Sequence, residues 1–270
     1  MLVIVAIVIF YVYDLLVNKT APTQNLFHTL SVVCICIAGL IRSFGTRNRR
    51  TLKFYESQYP DVLRDAFADQ PFWRQKLLCA VRLYNEDNFG KAAKYLTDLR
   101  DKCKYRQDYY AVFLFAGLCF TELGMYDHAQ SAYQSLIRAD IANSRIFSNL
   151  GHVQMEAGEC QKALQNYRHA LDYDRDNAFA YNNIAQAHFK MHEFEEAIPF
   201  ALKALEIKPQ MQQASSLLAM IYTLIGDKSN SEKYFHIAIS SGKDPRELKE
   251  AIEYFRTAQN AIRDTGNEDS

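Results

Sequence analysis

Apolar and small residues recur along most of this 270-residue chain with a fixed step of 34 positions. Within one period, residues 178–190 and 194–207 each carry apolar side chains at helical spacing, and a short break separates them. Small residues fill two of the recurring positions, which are Ala129, Ala163, Ala197 and Ser231, and Gly117, Gly151, Ala185 and Ala219. Four more positions keep the same step. A fixed period of this length predicts stacked helix pairs that form a solenoid.

The small residues indicate where the two helices of each pair cross. Two helices approach closely only where the side chains between them are short, so Gly151 and Ala163 are expected at one crossing. The larger Phe147, Leu150 and Tyr167 would fill the space around it. The breaks between the helices contain a glycine in three of the four units, which suits a helix end.

Four stretches of the sequence carry a resemblance to the tetratricopeptide repeat family. They are FLFAGLCFTELGMYDHAQSAYQSLI, FSNLGHVQMEAGECQKALQNYRHAL, YNNIAQAHFKMHEFEEAIPFALKAL and SSLLAMIYTLIGDKSNSEKYFHIAI. Most of the family's aromatic, glycine and alanine positions are kept. The closing proline is present only as Pro209, and Gln154, His188 and Ala201 stand where an aromatic is usual. The resemblance covers roughly residues 73–243 and implies an all-α, right-handed α-solenoid of about five helix-turn-helix repeats.

One of these repeats is a weaker unit at the start of the series. Its Ala92 lies 37 residues before Ala129, whereas the later units keep a step of 34. We therefore expect residues 103–108 to hold an insertion.

The last segment, residues 244–270, predicts a C-terminal capping helix and a frayed tail. Asp244 suits the N-cap of this helix because its carboxylate can accept hydrogen bonds from the first turn. The apolar stripe consists of Leu248, Ile252, Phe255 and Ala258. We expect this stripe to cover the last exposed core of the solenoid.

The first 50 residues have a different pattern. Residues 2–17 and 26–41 are almost entirely apolar, and each is slightly shorter than the ~20 residues that cross a hydrocarbon core as a helix. With flanking residues they predict a transmembrane helical hairpin, so residues 2–43 would contact membrane lipids. Three alternatives stay open: a signal peptide at 2–17, two soluble core helices, or one span with the other segment in the interface. Residues 51–72 predict an aromatic-rich linker.

Basic residues after the second apolar segment predict the orientation. They are Arg42, Arg47, Arg49, Arg50 and Lys53, whereas the turn between the two segments holds only Lys19. Because basic residues stay on the cytoplasmic side, the repeats and the N-terminus are predicted to be cytoplasmic, with these residues at the membrane surface. The two-span layout favours a bacterial inner (plasma) membrane. The formal net charge of the chain is zero, and residues 1–53 carry six basic residues and one acid, so residues 54–270 have a net charge of −5. A mildly acidic repeat domain argues against nucleic acid as a partner.

Motifs of catalysis are missing from the sequence. It has no glycine-rich phosphate loop, no nucleophile elbow and no zinc-protease motif. His188 and His192 have a spacing that can place two metal ligands on one helix face, but both fall on positions that the repeat uses structurally. The six cysteines show no paired metal-type spacing. The sequence therefore predicts no enzyme, no metal site and no cofactor.

The resemblance also implies a binding groove lined by the first helix of each pair. Carried over by position, the groove residues are Leu114, Leu118, Arg145, Asn149, His152, Asn182, Asn183, Gln186, Lys190 and Met220. Asn149 and Asn183 occupy equivalent positions. In peptide-binding relatives an asparagine at that position often bonds the backbone of an extended ligand, although any polar residue on a wet face has the same pattern.

These observations together predict a membrane-anchored scaffold or adaptor of the tetratricopeptide type. Its groove would bind a protein or peptide on the cytoplasmic side of the membrane. The alternative is a structural subunit whose solenoid packs permanently against another membrane protein. An enzymatic or metal-binding role is the least favoured of the three.

Overall fold

The computed structural model describes residue 54 and residues 56–266, with side chains up to residue 257. None of the helices in this range is long and apolar enough to cross a membrane. The predicted transmembrane hairpin and the basic residues at positions 42–53 lie outside the described residues. The chain divides into two compact units, Met1–Asp61 and Val62–Ser270. In the described part of the first unit, the Ser57 hydroxyl donates to the Phe54 carbonyl at 2.7 Å.

Every regular element in the described range is a helix. In chain order they are α1 (Pro60–Leu63), α2 (Pro71–Asn85), α3 (Phe89–Leu99) with a 3-10 turn at Arg100–Lys102, α4 (Arg106–Glu122), α5 (Tyr126–Arg138), α6 (Ser144–Glu156), α7 (Cys160–Tyr173), α8 (Ala178–Lys190), α9 (Phe194–Ile207), α10 (Gln212–Leu224), α11 (Lys228–Ser240) and α12 (Pro245–Gly266).

The helices from α2 to α11 stack as five consecutive pairs. The two helices of each pair pack on each other, and the second helix of one pair packs on the first helix of the next. The first helices α4, α6, α8 and α10 also contact one another in that order. This arrangement confirms the predicted all-α solenoid of helix pairs.

The close helix crossing inside each pair depends on the small residues. A Cβ atom added to Gly151 would lie 2.7 Å from Tyr167 Cε1 and 3.1 Å from the carbonyl oxygen of Ala163. At the equivalent Gly117 it would lie 2.5 Å from Tyr133 Cζ. Both tyrosine side chains are fully buried. Each glycine therefore provides the space that a buried ring of the second helix occupies, as the 34-residue pattern predicts.

The turn between the two helices of a pair has the same backbone geometry in successive repeats. Gly158 has a φ of +81°, and the equivalent His192 has a φ of +61°. A left-handed conformation suits glycine because it has no Cβ, whereas it strains other residues. His192 adopts it nonetheless, so the stacking of the pair decides the turn rather than the residue at that position.

A buried carboxylate joins two segments at the start of the solenoid. Asp108 is fully buried, and its oxygens accept hydrogen bonds from the backbone amides of Phe67 at 2.5 Å, Lys104 at 3.0 Å and Tyr105 at 3.1 Å. The predicted insertion at residues 103–108 thus contains this anchor. The second half of the predicted linker, from Val62 onwards, belongs to the same compact unit as the repeats.

The C-terminal helix α12 leaves the stacking pattern. Asp244 caps it, since its Oδ1 accepts from the amides of Arg246 at 2.7 Å and Glu247 at 3.2 Å. Leu248 is buried, as the apolar stripe predicts. However, α12 packs mainly on α10, the first helix of the last pair, whereas earlier first helices pack mainly on the second helix before them.

Candidate functional site

The groove residues lie on α4, α6, α8 and α10, the row of first helices. Their side chains differ widely in accessibility. Arg145, His152 and Lys190 are exposed; Leu118, Asn149, Asn183, Gln186 and Met220 are half-buried. Leu114 and Asn182 are only 2% and 3% exposed. These two residues therefore lie beneath the accessible surface rather than on it.

The structure brings three of the groove residues together around one cavity. This cavity has a volume of about 400 Å³ and lies between α8 and α10. Gln186 and Lys190 reach it from α8, and Met220 reaches it from α10. The apolar part of its wall includes Phe189 and Phe255. A cavity with an apolar wall and a few polar groups has the composition of a recognition site for an apolar side chain.

Phe255 is a lining residue that the sequence did not predict as part of the groove. It belongs to α12, which was expected to cover the end of the solenoid. Its ring meets the ring of Phe189 edge to face, with a centroid distance of 5.0 Å and an interplanar angle of 76°. The apolar stripe on α12 was the available signal, but periodicity alone does not say which surface a stripe covers.

An ion pair joins the neighbouring first helices α6 and α8. Lys190 Nζ on α8 lies 3.0 Å from Glu156 Oε1 on α6. Both side chains are more than a third exposed, at 44% and 39%. Because solvent screens such a pair, it contributes little to stability, and a charged ligand can replace either partner at low cost.

A row of buried polar atoms without hydrogen-bond partners follows the groove at the repeat step. The side-chain atoms are Ser148 Oγ, Asn182 Oδ1 and Ser216 Oγ, and their residues are 34 positions apart. Leaving a buried polar group unsatisfied costs about 1–3 kcal/mol. Other buried atoms without partners, such as the hydroxyls of Tyr133 and Tyr167, lie on second helices.

The two histidines at metal-type spacing have separate environments. His188 is 8% exposed, its Nδ1 lies 2.6 Å from Glu193 Oε2, and its ring stacks on Phe200 at 5.6 Å. His192 lies in the turn and is exposed. Among the described residues, no group of three or more His, Cys, Asp or Glu side chains is placed to hold a metal ion.

The four cysteines that the structure describes are free thiols. Burial raises the pKa of Cys119 to about 12, and the nearby Glu122 carboxylate acts in the same direction. Burial likewise raises the pKa of Cys103 to about 12. A thiol with so high a pKa holds its proton at neutral pH, so neither group has the properties of a nucleophile.

Residues 140–210 match the model of the family described as "Tetratricopeptide repeat". This region covers the pairs α6–α7 and α8–α9. The resemblance that the sequence motifs indicate is thus supported over the third and fourth helix pairs.

Two curated relatives share part of the chain. The photosystem I assembly protein Ycf3 of Synechococcus elongatus is 31% identical over 104 residues, which is 37% of this chain and 57% of that protein. Stress-induced-phosphoprotein 1 of Caenorhabditis elegans is 28% identical over 112 residues, or 39% of this chain and 35% of that protein. The matched regions therefore span between a third and three fifths of these relatives.

Solved structures support the fold over a longer stretch. The crystal structure of YrrB, described as a TPR protein with an unusual peptide-binding site, superposes with a TM-score of 0.51 at 16% identity. The match covers 66% of this chain and 91% of YrrB. At this identity the likeness shows the fold alone, which is an all-α solenoid of tetratricopeptide-like repeats.

Proposed function

We propose that this protein is a membrane-anchored tetratricopeptide-type scaffold or adaptor, and that its groove residues bind a segment of another protein. The observation that carries the proposal is the cavity between α8 and α10, because three groove residues converge on it from two repeats. Among the similar proteins, the photosystem I assembly protein and the peptide-binding protein YrrB support this class of function.

The chemistry of the groove favours a segment with both polar and apolar groups. Arg145 and His152 give α6 an exposed polar surface, while the cavity beside Met220 has apolar walls. Asn149 and Asn183 place one side-chain amide on the first helix of each of two successive pairs. A side-chain amide both donates and accepts hydrogen bonds, so these residues can bond to the backbone of a bound chain. The ligand would thus bond to the middle of the groove and insert an apolar side chain near α10.

Photocrosslinking in the native cell tests the groove directly. A photoreactive amino acid at His152, which is exposed on α6, is expected to capture one discrete protein. The matched control is the same amino acid at Gln165, which is exposed on α7, the second helix of that pair. Capture at both sites with equal yield would show that a permanent partner encloses the solenoid. Capture at neither site would contradict the proposal that the groove binds a protein.

The membrane anchor is a separate part of the proposal and rests on the sequence of residues 2–43. We propose that both apolar segments span a bacterial inner membrane, with the repeats and the N-terminus on the cytoplasmic side and the basic residues at positions 42–53 on the lipid headgroups. Alkaline carbonate extraction tests the anchor: the full chain should stay with the membrane, and a chain lacking residues 2–41 should be released. Release of the full chain would refute it.

A further inference from the structure

The helix α12 lies on the surface that the groove residues define. It packs on α10, and its Phe255 reaches past α10 to the ring of Phe189 on α8. Phe255 also shares one cavity with Gln186, Lys190 and Met220. A helix at the position of a further repeat would instead pack mainly on α11, so α12 occupies the end of the groove.

The contacts of α12 follow one helical face. Leu248 is buried, and Ala251, Ile252 and Phe255 are half-buried. These residues have the spacing i, i+3, i+4 and i+7, which places them in one stripe. The neighbouring Tyr254 is 70% exposed. An amphipathic helix, whose described anchors end in an aromatic residue, thus covers this part of the groove.

The side chains of α12 do not completely fill the site that they occupy beside α8 and α10. A cavity of about 400 Å³ remains beside Phe255, open towards Gln186 and Lys190. Phe255 itself stays half-buried, so its contact with Phe189 leaves part of the ring accessible. An occupant with a better fit could therefore bury more apolar surface at the same place.

We infer that the end of the groove between α8 and α10 is a docking site for an amphipathic helix with apolar residues at i, i+3, i+4 and i+7, the last of them aromatic, and that α12 is its intramolecular occupant. This inference rests on the proposed function and names its ligand class. The partner's helix binds by displacing α12. A tethered segment has an effective concentration of the order of millimolar. A partner helix of low affinity therefore does not displace α12, whereas one of high affinity does.

A synthetic copy of α12 tests the inference in trans. The peptide comprises residues 244–257, fluorescently labelled, with a hydrocarbon staple between positions 246 and 250, whose side chains are exposed. The staple supplies the helical conformation that a free peptide of this length lacks. Its binding is measured by anisotropy with the full chain in lipid nanodiscs, as the parent protein, the Phe255→Ala variant and the Tyr254→Ala control.

We expect the peptide to bind the Phe255→Ala protein at least tenfold more tightly than the parent or the Tyr254→Ala protein. A peptide that carries Phe255→Ala should bind none of them. Equal affinity for all three proteins, or equal binding of the peptide without its phenylalanine, would overturn the inference. If a peptide with Ala251→Pro binds as well as the helical one, the site accepts an extended segment, and the helical ligand class is wrong.

Hydrogen exchange gives a second measurement on the same variants. Phe255→Ala should accelerate amide exchange in α12 at least tenfold and leave α4 to α7 unchanged. Unchanged protection of α12 would show that Phe255 does not hold it and would overturn the inference. Crosslinking at His152 probes a different helix, so capture there with no peptide binding would leave the proposed function standing while the docking site fails.

Discussion

The substitution Gly151→Ala tests the packing on which the whole solenoid depends. The new methyl carbon would lie 2.7 Å from Tyr167 Cε1 and 3.1 Å from the Ala163 carbonyl oxygen. Carbon atoms in contact are normally about 3.5–4.0 Å apart, so α6 and α7 must separate by several tenths of an ångström or more. Tyr167 is fully buried and packs within a cluster of buried side chains, so its ring cannot turn out into solvent.

Two opposing effects determine the size of the change. Adding a methyl group to a filled crossing costs about 1–3 kcal/mol, while replacing glycine by alanine inside a helix gains up to about 1 kcal/mol. We expect Gly151→Ala to lose roughly 1–2 kcal/mol of stability. Gly90 on α3 is the matched control, because a Cβ there would meet nothing within 4 Å, so Gly90→Ala should be neutral or stabilising.

Amide hydrogen exchange, resolved by helix, is the appropriate assay because a solenoid opens in pieces rather than as one unit. Exchange in α6 and α7 should become roughly 5- to 30-fold faster in Gly151→Ala, since 1.4 kcal/mol corresponds to about tenfold. The reasoning would be refuted if Gly151→Ala and Gly90→Ala had the same effect on their own helices, since the crossing would then tolerate a methyl group.

Three further changes have definite expected outcomes. Asp108→Ala leaves the buried Phe67 amide unsatisfied, so thermal unfolding should report a loss of about 1–3 kcal/mol and amide exchange should rise first in residues 62–70; an unchanged midpoint would exclude the anchor. His192→Gly relieves a left-handed backbone and should raise stability in urea by roughly 0.5–1 kcal/mol, whereas a loss would mean that the histidine side chain matters. Hydrogen bonds from the Asn230 amide and side chain to Asp227 hold the pKa of this carboxyl below its usual range. The stability that Asp227 gives to α11 is therefore complete above the unfolded pKa and is lost as the pH falls through the lower native value. Asp227→Asn should retain the cap but flatten that acid dependence of stability, measured as the urea midpoint against pH, and an unaltered acid profile would contradict the assignment.

The repeat architecture could be predicted from the sequence because it depends on local and periodic constraints. Gly151 and Ala163 mark the helix crossing by their size alone, and the crossing lies where they predict it. The same period also predicts the turn at His192, although histidine is unfavourable in the left-handed backbone conformation of this position. A structural constraint that recurs in each repeat can be recognised in a single sequence, because the repeats can be compared with one another.

The remaining features depend on contacts that occur once and therefore leave no periodic signal. The hydrogen bond from Phe67 to Asp108 joins residues 41 positions apart, and neither residue belongs to a recurring position. The stripe that contains Phe255 predicts an amphipathic helix. The path of the chain after α11 determines that Phe255 contacts Phe189, and the stripe does not indicate that path. Phe255 packs against the core of the last repeats, as the stripe predicts, but the sequence did not indicate that α12 packs mainly on α10.

The shared turn geometry has a consequence for how such a protein diverges. Positions 124, 158, 192 and 226 adopt the same left-handed backbone, although one holds histidine and three hold glycine. The turn inside each helix pair thus keeps its geometry whichever of the two residue types occupies it. Exposed residues such as His152 and Lys190 can be exchanged one at a time, by selection or by design, while the frame that displays them keeps its dimensions. The binding specificity can therefore change by single substitutions, and the protein still folds after each of them.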